Sequence, residues 1–413
     1  MKEIVFLLGA GASVPAKLPS MAELTTSYYY SVEQSFSTEE KEAVRILKDV
    51  MNQTSTIRND IEGLMSIVKN LEDEQYRDLI YSKFNDLKQI DTMTLNQINL
   101  KTQAFIRKSL ETINKNSHEF LSPLQGFIDG DPTEIFTLNY DGLIDLFCER
   151  NRIKYVDGFS PYWNPSAFNE LEQSINLYRL HGCLYWFKTE SGKSVKVPII
   201  GMDLNEVAYI SSEKLSEIII YPTFKKEKTS QIFSWLNNQF NESIRKCTLL
   251  IVIGYSFRDA DITTIIRESL QSQNLWLLII SPSASKITSD DLGIKAVNLD
   301  IQSRILRINA SFQDILNKGN LYDTVKKLLL IIGAEREVLK RYYQTPRDNT
   351  HMPLLIDSCY YMGWEDRVSY LKEIVRPFYT ESELRNVFYN RVRSKEDDLE
   401  SSMDELLEIY GMR

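Results

Sequence analysis

The sequence predicts an α/β protein in which a parallel sheet is covered by helices on both faces, and three observations predict it. Short, largely apolar runs of strand length recur at Val5-Phe6-Leu7-Leu8, Ile135-Phe136-Thr137-Leu138, Leu249 to Ile253 and Leu275 to Ile280. Strands buried on both faces read as such runs, without the alternation of a half-solvated strand. Amphipathic helical stretches separate several of them, the pattern of a sheet wound by crossover helices. Polar turns follow several runs directly, and Gly9-Ala10-Gly11-Ala12-Ser13 is the first.

That first turn allows a sharp change of direction and a close approach to the backbone, because glycine carries no Cβ. If a helix follows, its first N–H groups form a phosphate site. The third glycine of a dinucleotide fingerprint is absent, since Val14 stands three residues after Gly11. Taken alone the turn describes a plain strand-to-helix connection equally well. From Met21 to about Phe120 the grammar is helical. Ser37-Thr38-Glu39-Glu40 has the spacing of a capping box. Ala43, Leu47, Val50 and Met51 then share one helical face, as do Ile61, Leu64, Met65, Val68 and Leu71, and Phe105, Ile106, Leu110 and Ile113. Residues 21–120 therefore read as a helical insertion.

Strands return after Pro132. A helix is expected from Gly142 to Arg150, a strand at Leu177 to Leu180, and a hairpin from Leu184 to Lys188 and Val195 to Ile200 around Glu190-Ser191-Gly192. Ile218 to Tyr221 reads as a strand and Gln231 to Lys246 as an amphipathic helix, with a further helix starting at Asp261. Past Phe312 helices are expected at Asp323 to Ile332, Ala334 to Tyr343, His351 to Arg376 and Glu381 to Arg393, before a charge-rich stretch from Arg393 to Glu400. The expected organisation is thus a Rossmann-like catalytic domain over 1–310, carrying the 21–120 insertion, and a C-terminal helical domain over 311–413.

The chain has 413 residues, a net charge of -9 and a pI near 5.2, so a direct nucleic-acid surface is not expected. No stretch approaches the ~20 apolar residues of a membrane span, and the first residues lack the layout of a secretory signal. Cys148, Cys183, Cys247 and Cys359 lie far apart with no C-x-x-C pair, which predicts reduced, mostly buried thiols, no zinc site and a cytoplasmic protein.

Four polar stations close apolar strands: Gly9 to Ser13, Asn139-Tyr140-Asp141, His181-Gly182 and Gly254-Tyr255-Ser256. In open α/β sheets ligands bind outside the carboxyl ends of the strands, where these stations are expected to gather. On these residues the chain resembles the sirtuin-like NAD-binding family, specifically its zinc-free prokaryotic branch. GAGAS followed by Leu18-Pro19-Ser20 looks like the family's nucleotide loop, and FTLNYD, Phe136 to Asp141, like its asparagine motif. RLHG, Arg179 to Gly182, looks like the catalytic-histidine motif, with Trp186 fitting behind it. IGYSFRDADI, Ile253 to Ile262, looks like the glycine-serine strand end that contacts the nucleotide; IIYPTFKK, Ile219 to Lys226, is similar in flavour and has no assigned role. The resemblance covers roughly residues 1–20 and 130–310.

The cysteine pairs that bind zinc in the protein deacylases of the family are missing. The resemblance therefore implies an NAD hydrolase that releases nicotinamide and ADP-ribose, with NAD as substrate and no metal. It also implies an abortive-infection effector that depletes NAD in defence against phage. Loss of nicotinamide leaves a cation-like ribosyl centre, so the pocket has to orient the ribose and admit water. Asn139 donates and accepts, and is the candidate for holding the ribose or the water. His181 is the candidate base, and Asp141 supplies negative potential or orients its neighbours. The amides of Gly9, Ala10, Gly11, Ala12 and Ser13, with the Ser13 hydroxyl, are expected to face the pyrophosphate, and Gly254 and Ser256 to approach it or a ribose.

Plainer readings stand beside these. Asn139 and Asp141 also suit the cap of the helix that follows, and Ser256 a turn. Asp259 and Asp261 read as a helix start. His118, His351, Tyr28-Tyr29-Tyr30 and Trp163 read as structural. Rival functions are an NAD-dependent protein deacylase and a non-catalytic module that binds NAD or ADP-ribose. Because unchecked NAD hydrolysis kills its host, regulation by homo-oligomerisation is expected, and family analogy suggests a separately encoded HerA-type translocase ATPase as partner, since no Walker-type motif is present.

Overall fold

The computed structural model describes residues 4–54, 58–72, 74–111, 117–128, 132–160, 162–169, 174–197, 216–219, 231–272, 275–294, 301, 304–319, 321–322, 324–326, 328–329 and 332. The strands are β1 (Ile4–Leu8), β2 (Thr133–Thr137), β3 (Tyr155–Val156), β4 (Ile175–Arg179), β5 (Gly182–Lys188), β6 (Ser194–Lys196), β7 (Ser216–Ile219), β8 (Leu249–Ile253), β9 (Trp276–Ser281) and β10 (Ile305–Asn309). Seven of them form the parallel sheet of a Rossmann-like fold, in the order β10-β9-β8-β1-β2-β4-β3, and a second sheet has the order β6-β5-β7. The chain divides into two units, one drawn from residues 1–7, 120–133 and 241 onward, the other from 8–119 and 134–240.

In the first unit β8 pairs in parallel with β9, and β9 with β10. Leu249 to Ile253 is buried throughout, as expected of a strand covered on both faces. Helix α8 (Ala260–Ser272) begins one residue before the expected Asp261, and Asp259 accepts from the amides of Asp261 and Ile262, so the helix-start reading holds. Strand β10 carries no clear mark in the sequence, because it is an edge strand whose Arg307 breaks the apolar run. It leads into a short helix at Phe312–Gly319, and the described residues among 321–332 are helical as expected. The helices expected over 334–393, with His351 and Cys359, lie outside the described residues.

The second unit carries the helical segment: α1 (Met21–Ser35), α2 (Thr38–Gln53), α3 (Ile61–Glu72), α4 (Glu74–Lys83) and α5 (Thr92–Glu111). Its core includes Tyr28, Leu47, Met51, Leu64, Val68, Ile98 and Ile106, so the faces read from the sequence are the buried ones. Tyr28 is structural as expected: its hydroxyl bonds Thr102 Oγ1 at 2.8 Å, and its ring meets Phe105 edge-on. Capping boxes open both α1 and α2. At the second, the Glu40 amide donates to Ser37 Oγ at 3.2 Å and the Ser37 amide to Glu40 Oε2 at 2.7 Å. Lys101 on α5 donates to the same carboxylate oxygen at 2.6 Å, so this cap also ties two helices together. Burial raises the Glu40 pKa, but the bonds from Lys101 and Ser37 outweigh it and hold the carboxyl below its usual range.

In the same unit helix α6 (Leu143–Asn151) follows β2. Helix α7 (Gln231–Lys246), whose residues are divided between the two units, matches its expected span. The expected hairpin is present as antiparallel β5 and β6, and β7 pairs antiparallel on the other side of β5. Aromatic rings fill the space beside β4, with Tyr178 stacked on Phe136 and Phe168, both at 4.4 Å. Trp163 packs on Phe159, Trp186 and Trp235, in keeping with its structural reading. The turn after β1 differs from the expected strand-to-helix connection. Two 3-10 turns, Ala10–Ala12 and Val14–Ala16, precede α1, and Lys17 ends the second in the left-handed region at φ 65°. Pro15 inside the second turn has no N–H to continue a hydrogen-bonded helix. Among the described residues, no helix is long and apolar enough to cross a membrane.

Replacing Ser37 with Ala is expected to lower stability by about 1 kcal/mol, with Ser37→Asp retaining most of it. Urea unfolding followed by circular dichroism measures both.

Candidate active site

The loop after β1 and the turn after β2 form one hydrogen-bonded body. The two strand ends are joined by the Leu138 amide, which donates to Leu8 O at 2.9 Å. Asn139 Nδ2 donates to Gly9 O at 3.0 Å and to Ser13 Oγ at 2.9 Å. Ser13 Oγ passes a hydrogen bond on to Asp141 Oδ2 at 2.8 Å, and Asp141 Oδ1 accepts from the Leu143 amide at 3.0 Å. A carbonyl such as Gly9 O can only accept, which settles the orientation of the Asn139 amide. Both Asn139 hydrogens are thereby engaged, and Oδ1 is the group it can offer a ligand.

This division of labour refines the sequence reading. Ser13 is buried, and its hydroxyl points inward between Asn139 and Asp141. The Ala12 and Ser13 amides are taken up inside the first 3-10 turn by Gly9 O and Ala10 O at 2.9 and 3.1 Å. Exposed Ala10 and half-buried Gly11 supply the first two amides of that turn, which have no acceptor within it. Asp141 is buried and serves as an anchor. Burial pushes its carboxyl above the usual range, opposed by the hydrogen bonds from Leu143 and Ser13 and by the Arg179 charge. The N-cap of the helix that follows is Gly142, so Asp141 meets the first helical amide from one residue before the cap position.

His181 sits half-buried in the tight turn from β4 to β5. The Leu180 amide donates to Thr137 O at 2.9 Å, fixing this turn beside the end of β2. Gly182 follows at φ +83°, where a Cβ would lie 2.1 Å from Ile218 O, so both conformation and space require glycine. The imidazole lies 6.5 Å from the Tyr140 ring, centroid to centroid. Asn139, Asp141 and His181 are therefore neighbours within one unit. Gly254 and Ser256 belong to the other unit. There Gly254 turns the chain at φ +63° and its amide donates to Ile280 O at 2.9 Å, while Ser256 is exposed.

Beneath the Asn139 turn lies a charge cluster that the sequence reading assigned no role. Arg179 Nη1 donates to Asp141 O at 2.8 Å, and its Nη2 donates to Asp145 Oδ2. Asp145 Oδ1 accepts from Lys196 Nζ at 2.8 Å and from the Tyr155 hydroxyl at 3.2 Å. Lys196 Nζ also donates to Asp157 Oδ2 at 2.6 Å. Arg179, Asp145 and Asp157 are buried. Burial alone would raise the Asp145 pKa, but the Arg179 and Lys196 charges outweigh it and bring the carboxyl down to about 2. Burial would likewise lower Lys196, yet Asp145 and Asp157 carry it well above its usual value. One local signal existed: Asp145 interrupts an otherwise apolar helix start, Leu143-Ile144-Asp145-Leu146-Phe147-Cys148.

Cys148, Cys183 and Cys247 are buried thiols outside any disulfide. Burial pushes the Cys183 thiol up to about 11. Among the described residues, no group of three or more His, Cys, Asp or Glu side chains is placed to hold a metal ion.

Residues 133–297 match the family model described as a SIR2-like domain. That span takes in Asn139, Asp141, His181, Gly254 and Ser256 and leaves out the Gly9–Ser13 loop. A mutant Sir2 homologue in complex with ADP-ribose is similar to the chain at 13% identity, over 79% of this chain and 93% of its own, with a TM-score of 0.39. A Sir2 homologue–NAD complex is similar at 14% identity, over 79% and 91%, with a TM-score of 0.38. Sir2Tm bound to a propionylated peptide is similar at 12% identity, over 76% and 91%, with a TM-score of 0.33. No curated protein sequence matches the chain. The stretch that holds the Asn139 and His181 turns is thus similar to SIR2-like domains.

Because Asp145 is held below its unfolded value of 3.8, its contribution to stability is present above that pH and is lost as pH falls toward about 2. Asp145→Asn leaves the buried Arg179 guanidinium without its carboxylate and the half-buried Lys196 with Asp157 alone. The expected cost at neutral pH is about 3–5 kcal/mol, with a shallower loss between pH 4 and 2 than in the parent chain. Urea unfolding across that pH range reads both effects.

Proposed function

We propose that the chain hydrolyses NAD, releasing nicotinamide and ADP-ribose. The observation that carries this reading is the Asn139 amide, tied through Nδ2 to Gly9 O and Ser13 Oγ. This leaves Oδ1 as an acceptor beside a glycine loop, with the His181 imidazole 6.5 Å from the ring of the adjacent Tyr140. The amides of Ala10 and Gly11, which have no acceptor within their turn, suit a pyrophosphate. Gly254 and Ser256 are the further residues proposed to contact the nucleotide. Asn139 Oδ1 accepts a hydrogen bond from a ribose hydroxyl or from the attacking water, and Asp141 keeps Asn139 in place through Ser13.

The reaction breaks the bond from ribose C1′ to the nicotinamide nitrogen. Its electron pair goes to the ring, which leaves as neutral nicotinamide. Water oxygen bonds to C1′, and its proton passes to His181 and then to solvent. One water is consumed and one proton released, so no external oxidant or reductant takes part. No metal is required in this scheme.

In the cell we place the protein in the cytoplasm as an effector of phage defence that depletes NAD when triggered. Its catalytic domain spans 1–310, with a regulatory helical insertion over 21–120 and a C-terminal helical domain over 311–413. Self-association and a HerA-type translocase ATPase are the proposed controls, the second by family analogy alone.

Asn139→Ala and His181→Ala are each expected to lower nicotinamide release by about a hundredfold or more, with circular dichroism and melting temperature close to the parent's. A chelator should leave the rate unchanged. Purified chain, alone and with the neighbouring gene product, is assayed for nicotinamide from NAD. Undiminished turnover in both variants rejects the site. Turnover that depends on an acylated peptide replaces hydrolysis with deacylation, and tight binding without release leaves a ligand-binding module.

A further inference from the structure

Tyr140 stands between Asn139 and Asp141 and faces two ways. Its ring lies 6.5 Å from the His181 imidazole, at an interplanar angle of 36°. Its side chain also packs against the apolar core of the helical segment, the cluster that includes Tyr28, Leu64 and Ile106. The backbone repeats the connection. Tyr140 O accepts from the Leu184 amide at 3.0 Å, and Leu184 O accepts from Arg107 Nη2 on α5 at 2.9 Å. Arg107 is itself held by Glu111 at 2.6 Å and lies over the Phe187 ring at 5.3 Å. Two routes therefore run from a helical segment with no chemistry of its own to the turn that carries His181.

We propose that Tyr140 and Arg107 are positioning residues through which the packing of the helical segment sets the placement of His181. Close packing transmits displacement, and the half-buried Tyr140 ring is in contact on one side with the segment's core and faces His181 on another. A shift of α5 pulls on β5 through Leu184, and a shift of the segment's core moves the Tyr140 ring and, with it, the backbone of Asn139 and Asp141. The segment then regulates the site from within the chain, and whatever binds or assembles on it acts through these two residues. The inference deepens the reading in which His181 is the base, but its primary measurement does not need turnover.

The full chain holds three histidines, so ring-labelled histidine gives three signals, assigned with His118→Gln and His351→Gln. Arg107→Ala is expected to move the His181 signal and leave that of His118 in place, and Arg107→Lys, which keeps the charge and a donor for Leu184 O, to restore it. In kinetics, Tyr140→Ala is expected to lower kcat about tenfold with KM for NAD unchanged, and Tyr140→Phe, which keeps the ring, to recover it. If Tyr140→Ala does not fold, the partly exposed Arg107 variants carry the test by themselves. A His181 signal that stays put in Arg107→Ala, or moves equally in Arg107→Lys, overturns the proposal, as does a KM that rises in step with the loss of kcat. A parent chain that releases no nicotinamide overturns the hydrolase reading instead, and the histidine signals still decide this one.

Discussion

An ionised carboxylate without solvent, Asp145, is the constraint around which the site is built. Removing a carboxylate, a guanidinium and an ammonium from water costs several kcal/mol for each ion. The cluster is tolerable only when every member is in place. Asp145 comes from α6, Arg179 from the end of β4, Lys196 from β6, and Asp157 and Tyr155 from the short β3 and the turn after it. Their mutual demand fixes four segments against one another. Hydrophobic side chains of equal volume would supply comparable stability, so the contribution of the charges lies in geometry. Arg179 transfers that geometry to the site, since its second nitrogen holds Asp141 O.

Above the cluster, polar groups are arranged so that each has one task. Asp141 is buried and accepts from a serine hydroxyl and a backbone amide, so it anchors. Ser13 joins the anchor to Asn139, and Asn139 uses both hydrogens to hold the glycine loop. A side chain with two fixed donors cannot rotate to present nitrogen in place of oxygen, so the surface at Asn139 has a defined polarity. Such preorganisation suits the proposed reaction through a cation-like sugar, because reorienting dipoles during a reaction raises the barrier. His181 completes the set from the next strand end, where Gly182 permits a turn too tight for any other residue.

Much of the fold was legible because its signals are local. The apolar runs at 5–8, 135–138 and 249–253, the helical faces at 43–51 and 61–71, and the Ser37 cap all lie within a few residues of the feature they specify. The stations at Asn139 and His181 were legible as polar interruptions at the ends of apolar strands. Less was visible at β3 and β10. One is two residues long, and the other is an edge strand whose arginine hides its pattern. The glycines after β1 suggest the approach to a helix, whereas Pro15 and the left-handed Lys17 mark two short turns there.

Nothing local announces that Ser13 faces inward, that Asn139 keeps only its oxygen for a ligand, or that Arg179 and Lys196 share Asp145. Those facts join residues 13 and 141, 139 and 9, 145 and 196, and each depends on which strand ends the sheet brings side by side. The sequence by itself determined the periods that make strands and helices and the chemical groups that close them, since periodicity and capping act over one or two turns of chain. Only the tertiary structure decided which of those groups lose water and must therefore pair, and burial of that kind is a property of the packed chain rather than of any segment within it.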